Sequence, residues 1–230
     1  MKKLLAIAAT TALCGATGAH ATTISTYNYT DYVSGTSSSQ TYEDDGVTMK
    51  VTAGLYDDDA AATVTEGKYN ARPVLYPSYG TGVSHDQNDG EHTVDGYFPE
   101  VLILAFDTTV KLTDLVFNYA NSYAKFDFFV DSNNDGSLDQ RVLIDSDLDS
   151  GYDSVSLSSL LSMDLLTGKL FGVGASYTYK YCNHCSLHKS EWKLKKVKFD
   201  EVSEVPLPAA LPLFLAGIAG FGFASRKKKA

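Results

Sequence analysis

Between Gly46 and Glu201 the apolar residues come in short runs, and no run repeats at the three-to-four-residue spacing of a long amphipathic helix. Val47, Met49 and Val51 alternate with polar partners, as on a half-buried strand. Val101 to Phe106 is continuously apolar, as on a central buried strand. Val110, Leu112, Leu115, Phe117 and Tyr119 read as the next strand with one irregularity, and Asp107-Thr108-Thr109 as the tight connection of a hairpin. Phe126 to Val130 and Gln140 to Ile144 form a second pair around an Asx-rich loop. Leu157 to Leu166 suits a short helix or helical turn, and Leu170 to Tyr177 and Trp192 to Phe199 suit late strands. Trp192 and Leu194 share a face, and Val197 and Phe199 share one after a one-residue shift, which predicts a β-bulge. Lys193, Lys195, Lys196 and Lys198 then mostly face solvent. Residues 30–46 are polar and read as a loop or edge. Gly and Asx clusters separate the runs, so the pattern predicts an all-β fold, an antiparallel β-sandwich of jelly-roll type.

The two ends do not share this pattern. Lys2 and Lys3 precede an apolar stretch from Leu4 to Ala16, and Ala19-His20-Ala21 is a small-x-small cleavage site. That is a secretory signal peptide over residues 1–21, with the mature chain starting at Thr22. Cys14 follows Leu13 rather than a small residue, which argues against lipid attachment there. At the other end, the 18 residues from Leu207 to Ala224 include no charge. As a helix they would span about 27 Å, close to a hydrocarbon core of about 30 Å. Arg226, Lys227, Lys228 and Lys229 follow and should stay in the cytoplasm, which puts the preceding residues 22–204 on the opposite side.

The C-terminal segment, residues 205–230, opens with Val205-Pro206-Leu207-Pro208-Ala209. This motif, an apolar helix and a terminal basic cluster, in that order, resemble the VPLPA variant of the PEP-CTERM sorting signal. The resemblance implies an exosortase as processing partner, a transient transmembrane helix, and a final place at the surface or in the matrix of a Gram-negative bacterium that makes exopolysaccharide. A second resemblance lies in the central region. Gly80-Thr81-Gly82-Val83, then His92-Thr93-Val94-Asp95, then Val101 to Asp107 are similar to the exosortase-dependent surface proteins, although Gly96 stands where that family commonly has Asn. No catalytic role follows from it.

Residues 22–204 hold 13 Lys and Arg against 28 Asp and Glu, a net charge of −15. Phosphate backbones need a basic face, so nucleic acid is not an expected partner. The length, 183 residues, is ample for one core and short for two domains.

The sharpest chemical motif is Asp131-Ser-Asn133-Asn-Asp135-Gly136-Ser137-Leu-Asp139. Ca²⁺ takes about six to eight oxygens, and acids or amides at positions 1, 3 and 5 of a tight loop can converge on one point. Gly136 permits the turn, the Ser137 carbonyl can serve as a fourth donor, and Asp139 can close the cage. An EF-hand would need its bidentate acid where Val142 stands, so that fold is excluded. The spacing resembles the calcium hairpin loops of integrin-type β-propellers. The bland alternative is a solvated Asx-Gly turn.

Cys182-Asn-His184-Cys185-Ser-Leu-His188 suits a Cys182–Cys185 disulfide in an oxidising compartment, with zinc as the alternative; Ser186 after the second cysteine excludes a haem attachment site. The segment from His85 to Asp95 is dense in metal-ligand types, including Asp86, Asp89 and Glu91, but has no fixed spacing. Tyr177, Tyr179 and Tyr181 share a face, as do Tyr27 and Tyr29; sheet packing explains them, and sugar stacking is the alternative. No motif sets a nucleophile beside His85 or His92. The expectation is a non-enzymatic structural or adhesive protein of an exopolysaccharide layer, the alternative a calcium-stabilised carbohydrate-binding adhesin.

Overall fold

The alternating runs become strands, and every strand pair among the described residues is antiparallel. The computed structural model describes residues 21–25, 38–57, 63–76, 78–85, 92–176 and 189–202. The expected signal-peptide stretch before Ala21, the Cys182–Cys185 segment, the Tyr177 to Tyr181 and Tyr27 to Tyr29 rows and the Val205 to Ala209 motif lie outside them. Among the described residues the strands are β1 (Ala21–Ser25), β2 (Gln40–Asp44), β3 (Val47–Tyr56), β4 (Val64–Glu66), β5 (Arg72–Tyr76), β6 (Gly80–Ser84), β7 (Val94–Asp95), β8 (Glu100–Ala120), β9 (Lys125–Val130), β10 (Gln140–Asp147), β11 (Gly151–Ser156), β12 (Thr167–Ala175) and β13 (Glu191–Glu201). They all fall in one unit, Ala19–Val202.

The arrangement turns on β8. Its first part, Glu100 to Phe106, pairs with β3 on one side, and Val101 to Ala105 pair with β12 on the other. Its second part pairs with β13 and β11. Beyond β12 come β9 and β10, and beyond β13 come β6 and β5. One strand thus belongs to two sets of neighbours, and the inner faces of those sets enclose a common core. Leu102, Leu104, Phe128 and Phe171 come from one side, and Phe117, Trp192, Leu194 and Phe199 from the other. The result is an all-β, sandwich-like fold.

Two expectations need correction. Asp107-Thr108-Thr109 does not turn; β8 runs through it without a break. The segment has no glycine, and its two β-branched threonines suit extended backbone. Lys193 does not face solvent: it is only 3% exposed. Other expectations hold. Of the polar stretch read as a loop or edge, residues 40–44 are an edge: they form β2, which pairs with β3 alone among the described strands. Val47, Met49 and Val51 are buried on one face. The bulge in β13 falls between Leu194 and Lys196. Leu157 to Leu166 holds two 3₁₀ turns, Leu157–Ser159 and Met163–Leu166.

A smaller apolar cluster lies on the other face of the β3–β8–β12–β9 set: Tyr56, Val101, Ile103, Phe129 and Leu138. Leu138 belongs to the Asx-rich loop, so the loop is fastened to the sheet. The fastening requires Gly172 on β12, where a Cβ would meet Leu138 Cδ1 at 2.7 Å and Phe129 Cβ at 3.0 Å. Leu138→Ala should therefore destabilise by about 2–4 kcal/mol. Gly172→Ala should cost about 1–3 kcal/mol alone, and less when Leu138 is already Ala. Urea denaturation of the two single variants and the double variant measures that coupling, and strict additivity would show that the two positions do not share space.

Candidate functional site

The Asx-rich loop is the tip of the β9–β10 hairpin, whose register starts with Gln140 opposite Val130. The loop folds on its own side chains. Asp131 accepts from the Asp135 N–H at 3.1 Å and from the Gly136 N–H at 2.8 Å. Asn133 accepts from the Asp135 N–H at 2.9 Å, and Asp135 accepts from the Ser137 N–H at 2.9 Å. Asn133 donates its amide N–H to Asp135 at 3.1 Å. Asp139 accepts from the N–H of Ser132 at 2.8 Å and from its hydroxyl at 3.0 Å. These bonds hold the Asp139 carboxyl below its ordinary value. Asn134 and Gly136 take positive φ, 58° and 87°, which a β-branched residue would resist.

Asp131, Asn133, Asp135 and Asp139 thus lie in one tight loop, and each side-chain carbonyl or carboxylate oxygen set is aimed at loop N–H groups. Among the described residues no group of three or more His, Cys, Asp or Glu side chains is disposed to hold a metal ion. The donor set is nonetheless all oxygen, which suits a hard cation such as Ca²⁺. The loop's turn is formed by Asp131, which draws in the N–H groups at positions 5 and 6.

The hairpin stem holds a second polar group that the sequence reading missed. Asp127 is 1% exposed. It accepts from Arg141 at 3.1 Å, from the Asp145 N–H at 2.8 Å and from the Ser176 hydroxyl. The Tyr56 hydroxyl oxygen lies 3.0 Å from Asp127 and 2.7 Å from the Ala175 carbonyl, and the Arg141 guanidinium sits over the Tyr56 ring at 5.7 Å. A buried carboxylate needs a cation and hydrogen bonds, and Asp127 has both. The signal was an acid between Phe126 and Phe128 on a strand.

Of the His85 to Asp95 segment, residues 86–91 lie outside the described residues. His85 and Asp95 meet Glu100, a residue the sequence reading passed over although it is an acid at the head of an apolar run. Glu100 is fully buried. Its carboxyl lies 2.8 Å from His85 Nδ1 and accepts the Asp95 N–H at 2.8 Å. Asp95 in turn accepts from the N–H groups of Tyr97 at 2.9 Å and Phe98 at 3.2 Å, and the Phe98 ring lies 4.3 Å from the His85 ring. The group fixes the turn between β7 and β8. Burial pushes the Glu100 carboxyl up to about 8, against the pull of the His85 hydrogen bond.

No helix among the described residues is long and apolar enough to cross a membrane. No protein-family model matches the chain, and no curated protein matches it.

The raised Glu100 value sets a pH dependence. Between about 4.5 and about 8 the folded protein retains a proton on Glu100 that the unfolded chain releases, so this group's contribution to stability falls as pH rises through that window. Glu100→Gln keeps an acceptor for the Asp95 N–H and cannot ionise. Melting curves from pH 5 to pH 8 (within about that window) should show the wild type losing stability relative to Glu100→Gln. Parallel curves would show that Glu100 is ionised in the fold.

Proposed function

We propose that this chain is an exported protein of the cell surface or extracellular matrix of a Gram-negative bacterium, processed at its C-terminus by an exosortase, with a structural or adhesive and non-enzymatic role in an exopolysaccharide layer. The observation that carries this reading is the succession of three sequence features in the tail: Val205 to Ala209, an uncharged stretch to Ala224, then Arg226 to Lys229. The strand boundaries are compatible with it. β13 ends at Glu201, before the motif, and β1 starts at Ala21, so cleavage after Ala21 removes one residue of one strand. In this reading residues 22–204 form a jelly-roll-type sandwich and the tail a transient sorting helix. Cys182 and Cys185 form a disulfide after export.

Calcium belongs to the same reading as a structural ion. Asp131, Asn133, Asp135, Asp139 and the Ser137 carbonyl would hold it, and it would add charge-neutralising bonds to a loop of three acids. A second reading, a calcium-stabilised carbohydrate-binding adhesin, is favoured by the exposed tyrosines Tyr119 and Tyr152 beside the lysines of β13.

Replacing Pro206 and Pro208 should block processing and leave an uncut membrane form, whereas the wild-type protein from the cell surface should lack Phe221 to Ala230 by intact mass. Wild-type surface protein that keeps those residues would leave only a plain anchor. For the loop, calcium at about tenfold above a Kd of roughly 10⁻⁴–10⁻³ M should stabilise by about 1.4 kcal/mol and raise the Tm by a few degrees. Asp135→Ala should abolish that response. It should also cost about 0.5–1.5 kcal/mol in EDTA, because Asp135 accepts the Ser137 N–H without any ion. A calcium response that survives in Asp135→Ala would put the ion elsewhere.

A further inference from the structure

Tyrosines from separate strands meet lysines of β13 on one face. Tyr152 comes from β11, Tyr119 from β8, Lys193 and Lys195 from β13, Tyr76 from the end of β5, and Tyr79 from the turn between β5 and β6. The Lys193 ammonium lies 4.6 Å from the centroid of the Tyr76 ring and 4.6 Å from that of Tyr119. Tyr79 meets Tyr119 edge to face at 6.0 Å, and the Lys195 ammonium lies 5.3 Å from the Tyr152 centroid.

Ordinary sheet packing does not account for three details. The rings of the outer tyrosines stay half in water: Tyr79 is 49% exposed, Tyr119 46% and Tyr152 56%. Lys193 is 3% exposed, so its charge has been taken from water to stand between two rings, where it fixes their planes. Tyr119 has a φ of 57°, an uncommon and strained state for a bulky side chain. Asn118 supports that state by accepting the Tyr119 N–H at 2.9 Å, and it donates to the Ser78 carbonyl at 3.4 Å in the turn that presents Tyr79. Strain, a buried cation and a side-chain tether all serve to hold tyrosine rings at the surface.

We propose that this face is a glycan-binding platform and that its ligand is an acidic polysaccharide. A sugar ring has an apolar C–H face, and a half-exposed tyrosine offers an apolar ring face for it to stack on. The acid follows from charge complementarity. Residues 22–204 carry a net charge of −15, yet between Glu191 and Asp200 the strand β13 has four lysines and no acid. Lys193 is buried and Lys198 lies 3.9 Å from Asp114, so the complementarity rests on Lys195 and Lys196. Tyr79, Tyr119 and Tyr152 stack on sugar rings, Lys193 positions the Tyr76 and Tyr119 rings, and Lys195 sets the preference for carboxylated sugars. The platform rests on the surface-protein reading for its biological setting, but its test does not.

The test is affinity electrophoresis of the unprocessed full chain in detergent, through gels holding polygalacturonate or the neutral glucan dextran. Polygalacturonate should retard the wild type and dextran should not. Tyr119→Ala and Tyr152→Ala should each weaken binding about tenfold, or about 1.4 kcal/mol. Tyr119→Phe, which keeps the ring, should bind as the wild type does. Lys195→Ala should lower the salt dependence, and Tyr97→Ala, exposed elsewhere, should change nothing. If Tyr119→Ala lowers the Tm, Tyr152→Ala decides. Absence of retardation, equal retardation by dextran, or unchanged binding in Tyr152→Ala would each overturn the proposal. A chain that is processed at the surface but ignores polygalacturonate overturns the platform alone, and one that binds it but is never processed overturns the sorting reading alone.

Discussion

The uninterrupted extension of β8 is what the other strands depend on. Its backbone offers hydrogen bonds on both edges along most of its length, to β3 and β12 in the first part and to β13 and β11 in the second. A turn at Asp107 would let the two parts fold back on each other and would take partners away from four strands at once. Because the strand continues, the residues facing inward change company along one backbone. Leu102 and Leu104 belong to the same buried cluster as Leu112, Leu115 and Phe117. The core is therefore built on one ladder, and its two sides cannot separate without breaking that ladder.

The hairpin that holds the Asx-rich loop is secured at three levels. The tip closes on its own carboxylates, the base of the loop inserts Leu138 over Gly172, and the stem is locked by Asp127 with Arg141 and Tyr56. Each level uses a different interaction. Amide-to-carboxylate bonds shape the turn, close packing fixes its tilt, and a buried ion pair fixes the strands beneath. The consequence for any bound cation is that the loop need not be assembled by the ion. It has a defined shape already, and an ion would act on charge repulsion among Asp131, Asp135 and Asp139 more than on backbone order.

Much of this was legible in the sequence where the information is local. Alternation identified Val47 to Val51, the frame shift between Leu194 and Val197 identified the bulge, and the Asx-Gly spacing identified the loop. What could not be read depends on partners far away in the chain. Asp107-Thr108-Thr109 suits a turn or a strand, and only the neighbours of β8 decide between them. Lys193 looks solvent-facing by periodicity, and its burial requires Tyr76 and Tyr119 from two other strands. Asp127 and Glu100 have no local sign of their roles, because their partners Arg141, Tyr56 and His85 come from other elements. Leu138 was hidden in a polar loop, although a lone leucine among Asx residues is a hint that one side of the loop is covered.

The pairing of β1 with β13 has a mechanical consequence. Thr22 lies opposite Phe199 and Ile24 opposite Val197, so the last strand is flanked by β1 on one edge and by β8 on the other. A tension applied at the end of β13 runs along the strand rather than across it. Hydrogen bonds on both edges are then strained together in shear, and none can open first like the teeth of a zip. The lysines at the other end of the same strand, Lys193 and Lys195, would feel that tension directly, without its passing through the aromatic core.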